Sequence, residues 1–320
     1  MNDPDQDRTH MPPGEMENCP KCGRRTPPDR LNCLYCGAVL ELTEEQEMAA
    51  RPVLRKIEVW EPGWNLVVTS AGAGSTAEAA DLLRLEPEDA EGLFKAASPV
   101  PVARTSSSEE ADIVVKRLAA LGIEAVAVAD ETLDPRNPPR RLRGLEFLDG
   151  AIRPVKFNDP QPDDPAFEPV MIVEGFVIRK RLESTEKRSR GSEKLIDSAE
   201  TGADETVIDI YGAFDAGGFR IRQEGFDFSC LADRKAFTAS ENIRLVLEEL
   251  RDRFPDAAYC GSYRSLRRAL GIVWPQTEST SSEGVERKSF RGYAKKKVAV
   301  IDNEEQFARF SRMMNVLRER

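Results

Sequence analysis

Histidine is almost missing from this chain: its 320 residues include one, His10. Because histidine is the side chain whose charge changes near neutral pH, its scarcity removes the commonest acid–base and nucleophile pairs. His10 also falls in a polar, acidic start, read as a flexible tail over residues 1–15. Long apolar runs are missing too. Nothing approaches the roughly 18 residues that a membrane span needs, and "MNDPDQDRTHMPPGEME" is unlike a secretory signal. The expectation is a soluble, cytoplasmic protein with no membrane partner. A basic surplus is absent as well. The formal net charge is −10, whereas a general nucleic-acid binder needs a cationic footprint to displace counterions from phosphates. With 40% apolar and 32% charged residues, the chain is long enough for two compact domains and a smaller module.

What cysteine there is lies mostly in one place. "NCPKCGRRTPPDRLNCLYCG", residues 18–37, holds Cys19, Cys22, Cys33 and Cys36 as two Cys-x-x-Cys-Gly pairs ten residues apart. Thiolates are soft ligands, and each pair can point two sulfurs at one centre, which suits tetrahedral zinc. Two disulfides, a dithiol redox site and a rubredoxin-like iron site are the competing readings. A redox motif needs a pair beside a βαβ unit, nothing indicates an oxidising compartment, and Tyr35 is the only aromatic side chain to shelter iron. Residues 16–42 resemble the zinc-ribbon family at all four ligand positions. The resemblance implies one structural zinc per chain and a surface presented to protein or nucleic acid. Cys230 and Cys260 remain, read as small buried hydrophobes.

Charge is unevenly spread: 19 basic against 30 acidic residues over 1–167, and 27 against 26 over 168–320. One basic patch stands out, with Arg287, Lys288, Arg291, Lys295, Lys296 and Lys297. It is the candidate partner-binding segment. Its only aromatics are Phe290 and Tyr293, few for a surface that stacks bases.

After a linker at 43–60, "WNLVVTSAGAGSTAEAADLL" reads as strand, glycine-rich turn and helix, and Gly72, Gly74 and Ala77 satisfy G-x-G-x-x-A. A dinucleotide site would continue to a parallel strand ending in an acid, and a phosphate loop would carry Lys-Ser/Thr. Instead a second helix follows, opened by Pro87, with Ala90, Leu93, Phe94 and Ala97 on one face. No nucleotide is expected. A short strand "PVPVART", a helix capped by Ser107 and Glu110 with Ala111, Val114, Val115, Leu118 and Leu121 inward, and a strand "EAVAVAD" complete a β-α-α-β-α-β domain over 61–131. The Asp-Ala-Glu helix ending before Pro99-Val100, the Ser-Glu-Glu-Ala helix and its Gly122 stop resemble the C-terminal domain of the bacterial ribosomal stalk protein, a fold shared with the N-end-rule protease adaptor. Where that family has a Gly-Leu-Gly-Leu turn and a lysine-rich face, this chain has Leu85-Glu86-Pro87-Glu88 and an acidic one.

Residues 132–167 are proline-rich and acidic, read as linker around a hairpin with Asp149-Gly150 at its turn. Residues 168–320 alternate as strands, then give a helix with a Thr238/Glu241 capping box, a flexible loop at 276–292, a strand "KKVAVID" and a last helix with Phe307, Phe310 and Met314 inward. The expectation is an antiparallel sheet or small barrel with packed helices. That order resembles pleckstrin-homology-like domains, and "GFDFSCL", "SYRSLRRALGIVWP" and "NEEQFARFSRM" resemble stretches of bacterial zinc-ribbon proteins; neither resemblance implies an activity. Asp209, Asp215, Glu224 and Asp227, near expected strand ends, are the only carboxylates for a metal-dependent hydrolase, and no Glu-x-Lys spacing accompanies them.

The fold class is therefore multidomain α+β. The expected function is a non-catalytic, zinc-binding adaptor or regulatory protein with a protein partner. Its alternatives are a nucleic-acid-associated protein using the ribbon and the basic patch, and a hydrolase using the C-terminal carboxylates.

Overall fold

The computed structural model describes residues 16–27, 33–38, 40, 57–58, 61–71, 76–96, 98–157, 165–189, 192–213, 215–289 and 292–318. Two compact units emerge, Met1–Asp130 and Glu131–Arg320. In the first, a minimal ribbon pairs β1 (Glu17–Asn18) with β2 (Arg25–Thr26) antiparallel. Further on, β3 (Trp64–Ala71), α1 (Thr76–Leu83), α2 (Pro87–Phe94), β4 (Val100–Thr105), α3 (Ser108–Ala120) and β5 (Ile123–Ala129) follow the order read from the sequence.

Strand β3 is central and antiparallel to both neighbours. Leu66, Val67 and Val68 are buried with Val100, Val102, Ile123 and Val128, and the helices add Leu83, Leu93, Phe94, Val114 and Leu118. In α3 the buried stripe includes Ile113, whereas Val115 and Leu121, expected inward, are half-buried. The Ser107 hydroxyl accepts from the Glu110 N–H at 3.2 Å, the expected cap. Asn65, buried in the first half of β3, donates to the Val128 carbonyl at 3.1 Å and to Asp130 at 2.9 Å, and Arg104 pairs with Asp130. These contacts fix where the sheet begins.

The second unit is one large mixed sheet with helices on both faces. Its strands are β6 (Arg140–Leu148), β7 (Ala151–Lys156), β8 (Pro169–Ser189), β9 (Ser192–Gly212), β10 (Asp215–Arg222), β11 (Ala258–Cys260), β12 (Thr277–Ser289) and β13 (Gly292–Asp302). They run β12-β13-β8-β9-β10-β6-β7, with β11 also on β8. Among the described residues the order is open at β12 and β7, so the sheet does not close into a barrel. Pairing is antiparallel except at β10–β6 and β11–β8. Two expectations change. The β6–β7 hairpin, with Gly150 at φ 68°, is part of this sheet rather than of a linker, because β10 pairs with β6. The segment expected as a loop is β12, whose Ser and Thr residues gain a ladder with β13.

The period of two sends alternate residues of each strand to opposite faces. Ile172, Ile208, Ile210, Phe219 and Ile221 join one core with Ile243, Val246, Leu247 and Leu250 of α4 (Ala239–Arg253) and with Phe228 and Leu231 of the 3₁₀ helix Phe228–Arg234. The Thr238 hydroxyl caps α4, accepting from the Glu241 N–H at 3.2 Å and donating to the Glu241 carboxylate at 2.8 Å. On the opposite face, Tyr211 bonds Ser311 at 2.8 Å and Arg220 lies under the Phe307 ring at 4.9 Å. There α6 (Glu304–Arg318) buries Phe307, Phe310 and Met313; Met314, expected inward, is half-buried. A Cβ on Gly175 would meet the Phe307 ring at 2.3 Å, so helix and strand approach closely only because that residue has no side chain.

One edge of β8 is shared by two strands. β11 covers Met171–Val173 and β13 begins at Arg179. The gap between them is filled by a side chain: the Asn303 amide accepts from the Ile178 N–H at 2.6 Å and donates to the Phe176 carbonyl at 2.9 Å. It thus satisfies backbone groups that no strand reaches. Tyr263, at the start of α5 (Tyr263–Leu270), holds the same amide at 2.8 Å and donates to Gln306 at 2.9 Å. No helix of the described residues is long and apolar enough to cross a membrane.

Candidate metal centre

The two Cys-x-x-Cys turns have the same backbone. In the first, the Gly23 N–H donates to the Cys19 carbonyl at 2.8 Å and the Cys19 N–H to the Arg24 carbonyl at 2.9 Å. In the second, Gly37 donates to Cys33 at 2.9 Å and Cys33 to Ala38 at 2.8 Å. Gly23 and Gly37 have φ of 68° and 69°, the left-handed conformation that lets each turn close behind its second cysteine. The motif spacing thus becomes two matching knuckles.

Across the knuckles, Cys19 Sγ lies 3.7 Å from Cys36 Sγ and Cys22 Sγ 3.6 Å from Cys33 Sγ, and all four sulfurs fall within 4.8 Å of one another. A disulfide needs about 2.05 Å, so all four are free thiols. A tetrahedral ion with metal–sulfur bonds of about 2.3 Å sets sulfur–sulfur edges of about 3.8 Å. The described separations fit that figure, so the four thiols can hold a metal ion such as zinc. Cys19 and Cys33 are buried and Cys36 is exposed. Among the described residues this is the only group of three or more Cys, His, Asp or Glu side chains close enough to share an ion.

Electrostatics prepares one ligand more than the others. The Tyr35 N–H points at the Cys33 sulfur from 3.4 Å and heads the causes that draw this thiol down to about 6. Cys22 moves the other way, to about 11. A backbone hydrogen bond at Arg24 favours its thiolate, but desolvation and the neighbouring sulfurs outweigh it. The two shifts run in opposite directions, so the thiolate is favoured at Cys33 over Cys22. Between Cys33 and Cys36 the chain turns Leu34 and Tyr35 outward, each 56% exposed. The Arg24 guanidinium covers one face of Tyr35 at 5.0 Å.

The other sequence candidates are scattered. Lys295, Lys296 and Lys297 lie on β13, in register with Glu186, Thr185 and Ser184 of β8. Arg287 and Lys288 lie on β12; Arg291 is outside the described residues. So is the turn at 72–75, although β3 has antiparallel neighbours where a dinucleotide fold has parallel ones.

Among the described side chains the strand-end carboxylates do not assemble; Asp215 opens β10, and its side chain lies outside the described ones. Asp209, three residues from the end of β9, is fully buried and bidentate to Arg220 at 2.7 and 2.8 Å. Asp227 caps the Ser229 N–H at 3.0 Å. Glu224 is exposed, its carbonyl accepting from Arg141. The Asp209–Arg220 pair extends to Glu304 at 3.8 Å, and Glu304 accepts from Arg222 at 3.0 Å. Sequence reasoning missed this network. Its one signal was the pair of charged residues at inward strand positions opposite Phe307. No protein-family model matches the chain, and neither a curated protein nor a solved structure does.

Proposed function

We propose that this chain is a non-catalytic adaptor in which one structural zinc, held by Cys19, Cys22, Cys33 and Cys36, fixes a small platform that docks a protein partner. The observation behind it is the second knuckle, which turns its sulfurs inward and leaves Leu34 and Tyr35 outward between the ligands. Zinc suits a four-thiolate tetrahedron, and four thiolates leave no position for an activated water, so the metal's role is to hold shape. An exposed aliphatic–aromatic pair on a metal-fixed turn is already ordered before binding, which lowers the entropic cost of docking. Arg24 stacked on Tyr35 adds a cation beside the aromatic, and Tyr and Arg are common anchors of protein interfaces.

Nucleic acid is the weaker reading. Glu186 stands in register with Lys295, and the segment's only aromatics are Phe290 and Tyr293. At about 0.15 M salt, a random duplex is expected to bind no tighter than the non-specific range of about 10⁻⁴ to 10⁻⁶ M. A nanomolar constant lost on changing Lys295, Lys296 and Lys297 to alanine reverses the ranking.

The direct test places a photo-crosslinking residue at position 35 of the full chain in its host. The expected result is one recurrent protein adduct, lost in Leu34→Glu while the zinc content stays at one per chain. Adducts to nucleic acid, or protein adducts indifferent to Leu34→Glu, overturn the proposal.

A further inference from the structure

A second site lies in the other unit, where β8, β13 and the C-terminal half of α5 wall an open cleft of about 540 Å³. Three cations line it, Lys180, Arg267 and Arg268, beside three isoleucines, Ile178, Ile272 and Ile301. No carboxylate is among the lining residues. Lys180 and Ile301 are cross-strand partners, so cation and apolar floor meet on adjacent strands. Glu278, in register with Ile301 one strand further out, is not among the lining residues.

The arginines here differ from their neighbours. Arg264, on the same helix, lies over the Phe176 ring at 4.3 Å, and Arg179 is held by Glu304 at 3.3 Å. The guanidinium groups of Arg267 and Arg268 have no hydrogen-bond or ion-pair partner among the described residues. The partial negative charge at a helix C-terminus favours cations in its last turn. That accounts for two arginines in α5, but not for the apolar floor between them and Lys180, nor for Ile272 left 40% exposed.

We infer that this cleft binds an acidic peptide segment, with one apolar side chain of the peptide on the isoleucine floor and its flanking carboxylates on Arg267 and Arg268. Charge complementarity selects the class. The guanidinium fork matches a carboxylate in a bidentate geometry, and a volume of this size takes one or two side chains. Nucleic acid fits less well, because the lining offers no aromatic ring for a base to stack on. The inference stands independently of the zinc platform, since the residues belong to the other unit.

The test titrates the full zinc-loaded chain into a labelled Glu-Glu-Leu-Glu-Leu-Asp peptide and follows anisotropy, with a lysine-for-glutamate peptide, inorganic phosphate and an oligothymidylate as comparisons. Saturable binding that weakens with added salt is expected. Arg267→Glu with Arg268→Glu should weaken it by about tenfold or more, since each exposed ion pair contributes up to about a factor of five. Ile272→Asp should weaken it comparably. Should the double reversal fail to fold, Arg267→Gln with Arg268→Gln decides, with a loss of about threefold to tenfold expected. Unchanged affinity in a folded variant, equal binding of the lysine peptide, or displacement by phosphate or oligothymidylate at lower concentration than the acidic peptide overturns the inference.

Discussion

The two-knuckle segment and the C-terminal sheet solve the same problem by opposite means. Each must hold a chain in one conformation against its entropy. The knuckles bury little besides Cys19, Cys33 and Thr26, and converge on four sulfurs within 4.8 Å. The sheet buries aliphatic and aromatic side chains on both faces, and places an ion pair, Asp209–Arg220, deep in one of them. One region has a sulfur cluster that can hold a metal ion where a core would be; the other carries its own core. The difference teaches where each is vulnerable.

Removing the metal should give the largest effect. Structural zinc contributes about 10–16 kcal/mol in comparable small domains, so a strong chelator is expected to unfold residues 16–40 while the sheet's thermal transition stays in place. Elemental analysis of protein purified under reducing conditions checks the premise; iron, or no metal, breaks it. Loss of the sheet's transition on chelation would break the comparison itself.

Next comes the buried pair. Asp209→Ala leaves Arg220 charged and desolvated beneath Phe307, and breaking such a pair costs about 3–5 kcal/mol. Denaturant unfolding of the second unit should show that loss with zinc content unchanged. Asn303→Ala ranks third. It strands the half-buried Ile178 N–H and Phe176 carbonyl in the gap between β11 and β13, at about 1 kcal/mol for each hydrogen bond lost. Hydrogen exchange should quicken at Ile178 before the rest of β8; uniform exchange would mean the amide does not hold that gap. The smallest is Thr238→Ala, which removes the α4 cap and is expected to cost about 1 kcal/mol by the same unfolding assay.

Legibility followed sequence distance and chemical type. The cysteines announced themselves because soft ligands at Cys-x-x-Cys spacing have few other uses, and the caps at Ser107 and Thr238 because a capping box closes within four residues. Helix stripes were readable to within a position or so: Ile113 and Met313 are buried where Val115, Leu121 and Met314 were expected, since the packed face is chosen by the opposing strands. β12 escaped because its Ser and Thr residues look like a loop until β13 supplies a ladder. The cleft at Arg267 and Arg268 escaped as well, because its walls come from residues about ninety apart in sequence.

By itself, then, the sequence determined the four-sulfur centre and the β-α-α-β-α-β order, both of which depend on residue type and short-range spacing. The tertiary structure decided that Asp209 is buried against Arg220 rather than turned to solvent, and that Asn303 completes the edge of β8 from 127 residues away. It also decided that a hairpin bordered by prolines is part of a sheet. The reason is the same in each case: a buried polar group must find a partner or the fold loses several kcal/mol. That partner is set by which strands meet, and local sequence does not specify the meeting.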